Sequence, residues 1–240
     1  MSRRITWLFD LDNTLHDASH AAFGPTNRAM TEYIVEHLGL DYDSAWSLRQ
    51  HYWHRYGATL LGLVRHHGVH AAHFLAQTHR LPGLEQRLRT SAHDRAALKG
   101  LRGRKLILTN APRAYALRVL DALRLTPLLD GVLSIEDMTM FGQHRPKPDA
   151  RMFRHVLARL KLRPADCVLV EDTLQHQKAA HAIGMRAVWM QRYLDGRFRG
   201  TLRDGINNGR RTPEVGVHPC VSPGYVYARI KSLQTLRALR

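Results

Sequence analysis

The 240-residue sequence predicts an α/β fold: a Rossmann-like parallel sheet core with helices on both faces, and an inserted all-helical cap. Three observations carry this. Short apolar runs alternate with amphipathic stretches, as buried parallel strands alternate with crossover helices. Between about residues 19 and 97 the apolar residues recur at helical spacing and no strand pattern occurs. The acidic and hydroxyl residues that stand out each follow a strand or open a helix, which is where open α/β sheets bind ligands. The expected division is a core of residues 1–18 and 98–240, with the cap at 19–97.

Ile5 to Phe9 reads as a buried strand, placing Asp10 at its carboxyl end and Asp12 in the following loop. Two carboxylates this close are costly unless a cation or a proton shares the site, so the spacing suggests a metal, an acid/base pair, or both. An Asx turn after a strand is the plain alternative. Met30, Ile34, Val35 and Leu38 then mark a helix that Gly39 ends. Further helical segments run from Ser44 toward Tyr56, through Leu60 to Val64, and from Ala71 to Gln77.

Strand-like runs return at Lys105–Thr109, Val132–Ile135, Cys167–Val170 and Ala187–Met190. Asn110 is expected to cap a helix that Pro112 begins, with Leu117, Leu120 and Leu123 turned inward. Asp149 is expected to cap a helix carrying Phe153, Val156, Leu157 and Leu160, and Gly184 ends one built on Ala179, Ala180 and Ile183. Residues 195–223 lose periodicity and read as a flexible surface loop, followed by a short strand at Tyr225–Ile230 and a helix at Ser232–Leu239.

Composition narrows the class. Lys and Arg outnumber Asp and Glu by 36 to 20, a formal charge of +16 that favours anionic partners. No dense basic run interleaved with aromatics occurs, so a nucleic-acid track is not indicated. The two cysteines, Cys167 and Cys220, make no disulfide framework. Asp10 interrupts the first apolar run too early for a signal peptide, and no stretch suits a membrane span. A cytoplasmic monomer or homodimer is expected. Ten of the 16 histidines fall between residues 20 and 93, but their spacing fits a solvated helix face better than a zinc site.

Thr109-Asn110 offers a hydroxyl and free backbone N–H groups beside a helix start, which attracts anions. Lys147 stands between two prolines ahead of another helix, one of only six lysines. Glu171-Asp172 closes a further strand with a second acidic pair. Each is weak singly. In this order, Asp10-Leu-Asp12-Asn-Thr14, Thr109, Lys147 and Glu171-Asp172, the chain resembles the haloacid dehalogenase superfamily of phosphohydrolases. The cap segment His51–Leu63 and the stretch Ala182–Trp189 resemble its pyrimidine 5′-nucleotidase branch.

That resemblance implies a Mg²⁺-dependent phosphomonoesterase acting through an aspartyl phosphate, on a small phosphorylated substrate such as a pyrimidine nucleoside 5′-monophosphate. Asp10 is implied as nucleophile and Asp12 as acid and base. Asp10, Asp12 (through its carbonyl) and Asp172 are implied as Mg²⁺ ligands, and Thr109, Asn110 and Lys147 as phosphate contacts. Thr14, Glu171 and His176 are expected behind them. His176 departs from the pattern, since relatives commonly carry Asp or Asn there, and histidine is a softer ligand. Tyr56, Thr59 and Leu60 are the cap's candidates for substrate contact. A phosphatase of another ester, such as a sugar phosphate, or a basic nucleic-acid-binding protein on the same fold, is the alternative.

Overall fold

The computed structural model describes residues 5–89, 91–194 and 223–239. The first strand, β1 (Thr6–Phe9), is buried throughout and sits in the middle of a sheet. Seven helical segments follow: a π-helical turn at Ser19–Phe23, α1 (Gly24–Leu38), α2 (Tyr42–Tyr56), α3 (Thr59–His67), α4 (Ala71–Thr78), the single turn α5 (Leu84–Arg87) and α6 (Ala92–Gly100). The chain then runs through β2 (Arg104–Leu108), α7 (Arg113–Ala122), β3 (Gly131–Leu133), a small hairpin of β4 (Thr139–Met140) and β5 (Gln143–His144), and α8 (Ala150–Arg159). It closes with β6 (Cys167–Glu171), α9 (Leu174–His181), β7 (Arg186–Met190), β8 (Ala228–Ile230) and a 3₁₀ segment, Leu233–Ala238. Among the described residues no helix is long and apolar enough to cross a membrane.

The six-stranded sheet has the order β3-β2-β1-β6-β7-β8, and every pairing in it is parallel. The two-residue period of a strand divides its side chains between two cores. Trp7, Phe9, Ile107, Val168 and Val170 face one side, where they meet α7 and Leu98 of α6. Leu8, Leu106, Leu108 and Leu169 face the other, against Met152, Phe153, Val156 and Leu157 of α8. Cys167 belongs to this second core, and burial pushes its thiol up to about 11.

The expected 19–97 block divides between two clusters. Tyr33, Ile34, Tyr52, Leu60, Leu63, Phe74 and Leu75 form a core of their own within α1 to α4. Leu81, Leu84, Ala97 and Leu98 join the cluster beneath the sheet instead. Helices α2 and α3 touch at Gly62, where an added Cβ would come within 2.1 Å of the Tyr52 ring. At the other end of this contact, Gly57 adopts φ +77, and a Cβ there would lie 3.8 Å from Pro148.

Several local expectations shift. Asn110 does not cap α7, whose N-cap is Pro112 with no side-chain bond. Leu117 is 38% exposed, because α7 buries Tyr115, Ala116, Val119 and Leu120 in its place. The run Val132–Ile135 is strand only to Leu133, after which Ser134 and Asp137 form a capping box for a 3₁₀ turn. Asp149 does cap α8, accepting from Arg151 N. The loop expected over 195–223 lies, except for Pro223, outside the described residues.

Candidate active site

Register decides which side chains meet. Leu8 pairs with Leu106 on one side and Leu169 on the other, and Phe9 with Ile107 and Val170. Continuing this register sets Asp10 beside Glu171, which closes β6, and beside Leu108 of β2, with Thr109 one residue further along at the same carboxyl edge. Asp10 N donates to Val170 O at 2.9 Å, and Thr109 N to Leu133 O at 2.9 Å, extending the ladder to this edge.

Asp10, Glu171 and Asp172 each offer a carboxylate oxygen, all within 4.8 Å of one another, and all three residues are buried. Lys147 Nζ, also buried, donates to Asp10 Oδ1 at 2.7 Å and to Glu171 Oε2 at 2.8 Å. Among the described residues no other group of three or more His, Cys, Asp or Glu has this spacing. Three cap histidines pair with tyrosine hydroxyls instead, His66 with Tyr56, His67 with Tyr52 and His73 with Tyr33.

The charges do not balance. Three ionised carboxylates and one ammonium would leave two negative charges in a buried space, which is costly. Burial, and then Glu171, accordingly push Asp10 up to about 7 despite the opposing pull of Lys147. Burial acts against Lys147 as well, but Asp10 and Glu171 outweigh it and keep the ammonium charged. Glu171 resists its own burial through Lys147 and His176, which hold it below the usual carboxylate range. A residual negative charge among hard oxygen donors fits a divalent cation such as Mg²⁺. Glu171 belongs to this group, whereas the sequence placed it behind the ion. His176 lies outside the group, its Nδ1 3.2 Å from Glu171 Oε2.

The loops are held by named contacts. The backbone carbonyl of Asp172 accepts from the indole of the buried Trp189 at 3.0 Å, and Thr173 N donates to Glu171 Oε1 at 3.1 Å. Asn110 is tied through its side chain to the backbone of Lys147. Thr109 Oγ1 accepts from Ala111 N at 3.0 Å. Thr14 is fully buried, and its hydroxyl has no partner among the described residues. The Lys147–Pro148 bond is cis.

Asp12 is held by two residues that sequence reasoning missed. Its Oδ1 accepts from Tyr115 Oη at 2.7 Å and lies 2.9 Å from His16 Nε2. The spacing Asp12-x-x-x-His16 was the available signal, whereas Tyr115 looks like any core position of a helix. Of the three cap candidates, Leu60 packs in the cap core and the Thr59 hydroxyl donates to Arg49 O at 3.2 Å. Neither is free to face a substrate. Tyr56 remains partly exposed, its hydroxyl 2.6 Å from His66 Nε2.

Between α4 and the start of α7 lies a cavity of about 460 Å³, walled by Leu75, His79, Pro112, Tyr115, Arg118 and His144, among others. Tyr115 borders both this cavity and Asp12.

Residues 6–184 match the profile of the haloacid dehalogenase-like hydrolases. The chain is 25% identical over 195 residues to phosphate metabolism protein 8 of Saccharomyces cerevisiae, covering 76% of this chain and 60% of that protein. Among solved structures it is similar to a HAD phosphatase from Thermococcus onnurineus, with TM-score 0.59 and 19% identity over 98% of this chain and 97% of that one. It is also similar to CbbY from Rhodobacter sphaeroides, solved with phosphate, with TM-score 0.61 and 18% identity over 97% and 96% of the two chains. At these identities the structural likeness speaks to the fold.

Proposed function

The chain belongs to the haloacid dehalogenase-like hydrolases, and from that premise we propose that it is a Mg²⁺-dependent phosphomonoesterase whose preferred substrates are pyrimidine nucleoside 5′-monophosphates. The observation that carries the reading is the grouping of Asp10, Glu171 and Asp172 at one sheet edge, with the Lys147 ammonium bonded to the first two. An oxyanion substrate needs cationic donors, and its attack needs a carboxylate whose own charge is offset.

In this reading a carboxylate oxygen of Asp10 attacks phosphorus as the bond to the leaving oxygen breaks. Asp12 gives its proton to that oxygen, then takes one from the water that releases phosphate from Asp10. Lys147 orients Asp10 and offsets negative charge on the transferring group, with Thr109 and the Asn110 N–H as further donors. A bound Mg²⁺ would supply the remaining positive charge, held among Asp10, Asp172 and the Asp12 carbonyl with Glu171 beside it. Asp12 also argues for phosphate esters over haloacids, because displacement of a halide asks for no proton donor.

The nucleoside preference is supported by the cap resemblance, and by a cavity within the 300 to 1,000 Å³ range of small-ligand sites. The chain spans about 60% of the length of its yeast relative, whose name places it in phosphate metabolism. The test is a phosphate-release screen over nucleoside monophosphates and sugar phosphates, with Mg²⁺ and with chelator. Release is expected from pyrimidine nucleotides first, and only with the cation. Faster release from sugar phosphates would overturn the substrate assignment, and inactivity across the screen would overturn the enzyme.

A further inference from the structure

A general acid works only where its proton-bearing oxygen is held within hydrogen-bond reach of the leaving atom. Asp12 is badly placed to hold itself. It lies in a loop, its side chain is 19% exposed, and the next residue, Asn13, sits at φ 57. What fixes it arrives from elsewhere in the chain. The Tyr115 hydroxyl donates to Oδ1 at 2.7 Å, and His16 Nε2 lies 2.9 Å from the same oxygen.

Both partners are buried. Tyr115 is 3% exposed, its ring belongs to the cluster that includes Leu11 and Leu15, and the His79 ring packs against it at a steep angle, centroids 5.7 Å apart. Its hydroxyl is therefore placed by the core and not by Asp12. His16 is 1% exposed, and its Nδ1 has no partner among the described residues. A buried ring with one unpartnered nitrogen costs least when that nitrogen is the acceptor, which puts the hydrogen on Nε2, facing Asp12. Every side-chain partner of Asp12 among the described residues thus falls on Oδ1.

We propose that Tyr115, assisted by His16, is a positioning residue for Asp12: by holding Oδ1 it leaves Oδ2 as the oxygen that passes the proton to the leaving group. The inference rests on the phosphomonoesterase reading and deepens it. As the phosphorus–oxygen bond breaks, its electron pair goes to the leaving oxygen, the Asp12 proton moves from Oδ2 to that oxygen, and the Asp10–phosphorus bond forms. Asp12 is left as a carboxylate, and the two donors on Oδ1 stabilise that charge. Tyr115 keeps its proton throughout. Burial and the adjoining Asp12 carboxylate raise its phenol well above the ordinary value.

The consequence depends on the leaving group. An alkoxide leaves poorly without a proton, whereas 2,4-dinitrophenolate leaves without one. The test compares kcat/KM, which reports the step in which the leaving group departs, for Tyr115→Phe and wild type on a nucleoside 5′-monophosphate and on 2,4-dinitrophenyl phosphate. Phe keeps the ring and its packing, and thermal unfolding checks that the fold is intact. The nucleotide value is expected to fall about tenfold or more and the dinitrophenyl value less than about threefold, since misplacing a catalytic group by an ångström costs rates of this order. Asp12→Asn should show the same split, enlarged. An equal loss on both esters would make Tyr115 merely structural and overturn the proposal, as would no loss on either. A wild-type protein inactive on both would overturn the phosphatase reading beneath it.

Discussion

The Asn110 amide and the Lys147 backbone exchange two hydrogen bonds across 37 residues of sequence: Nδ2 donates to the Lys147 carbonyl at 3.0 Å, and Lys147 N donates to Oδ1 at 2.9 Å. A backbone held on both its donor and its acceptor cannot slide along its loop. The ammonium at the end of the side chain then reaches Asp10 and Glu171 with little freedom left to lose.

Asn110→Ala should therefore act through Lys147. Losing two partly buried hydrogen bonds is expected to cost about 1–3 kcal/mol of stability, and kcat/KM should fall at least about tenfold as the ammonium loses its placement. The Asn110 N–H, expected to face phosphate, survives the substitution, so the loss traces to the side chain. Chemical denaturation combined with kinetics on an aryl phosphate checks this. Unchanged kinetics would show that the lysine is placed without Asn110.

Lys147→Met tests the charge balance. It removes the cation shared by two buried carboxylates, and breaking a buried pair in this way typically costs about 3–5 kcal/mol. Protonation of Asp10, already pushed up to about 7, limits the cost toward the lower figure. Activity should fall by about a hundredfold or more, the usual effect of losing one donor to the transferring group. A destabilisation below about 1 kcal/mol by urea unfolding would mean that Lys147 is not what holds the carboxylates.

The cation site can be read without turnover. Ligand binding to the native state raises stability by about 2.7 kcal/mol at a hundred times Kd. Mg²⁺ should thus raise the melting temperature of the wild type and do little for Asp172→Asn, which removes one of the three buried carboxylates. Equal shifts in the two proteins would place the ion elsewhere.

How much of this was legible depended on whether a signal was local. Asp10, Thr109 and Glu171 could be read because each follows an apolar run that stops abruptly, and parallel register then brings such ends to one edge. Lys147 stood out as a scarce residue between prolines. Asn110 was misread, because an Asn before Pro112 fits a helix cap in sequence while its side chain turns to Lys147 in space. Tyr115 was invisible for the opposite reason: on α7 it occupies a core position with Val119, and only its hydroxyl, reaching a loop 103 residues earlier, tells it from Phe. The β4–β5 hairpin was missed because its turn, with positive φ at Phe141 and Gly142, lacks the Asn-Gly or Asp-Gly pair that usually marks one.

Acid should weaken the fold in part through His79, at the end of α4. Its Nδ1 lies 2.9 Å from Thr78 Oγ1 and 3.2 Å from the Leu75 carbonyl, and its ring packs at a steep angle against that of Tyr115. Burial holds the imidazole below its ordinary 6.5, with Asp12 and Glu136 opposing only in part. The unfolded chain then takes up a proton near 6.5 that the native state refuses until lower pH. The unfolded state binds more protons in that window, so stability rises with pH: the contribution is complete above about 6.5 and is lost as pH falls. The slope is bounded by about 1.4 kcal/mol per pH unit and is reduced here because the ring is partly exposed. His79→Gln keeps a polar group of similar reach but does not titrate. Urea unfolding between about pH 7.5 and 5.5 should show the variant losing less stability than the wild type, whereas parallel losses would mean the imidazole binds its proton equally in both states.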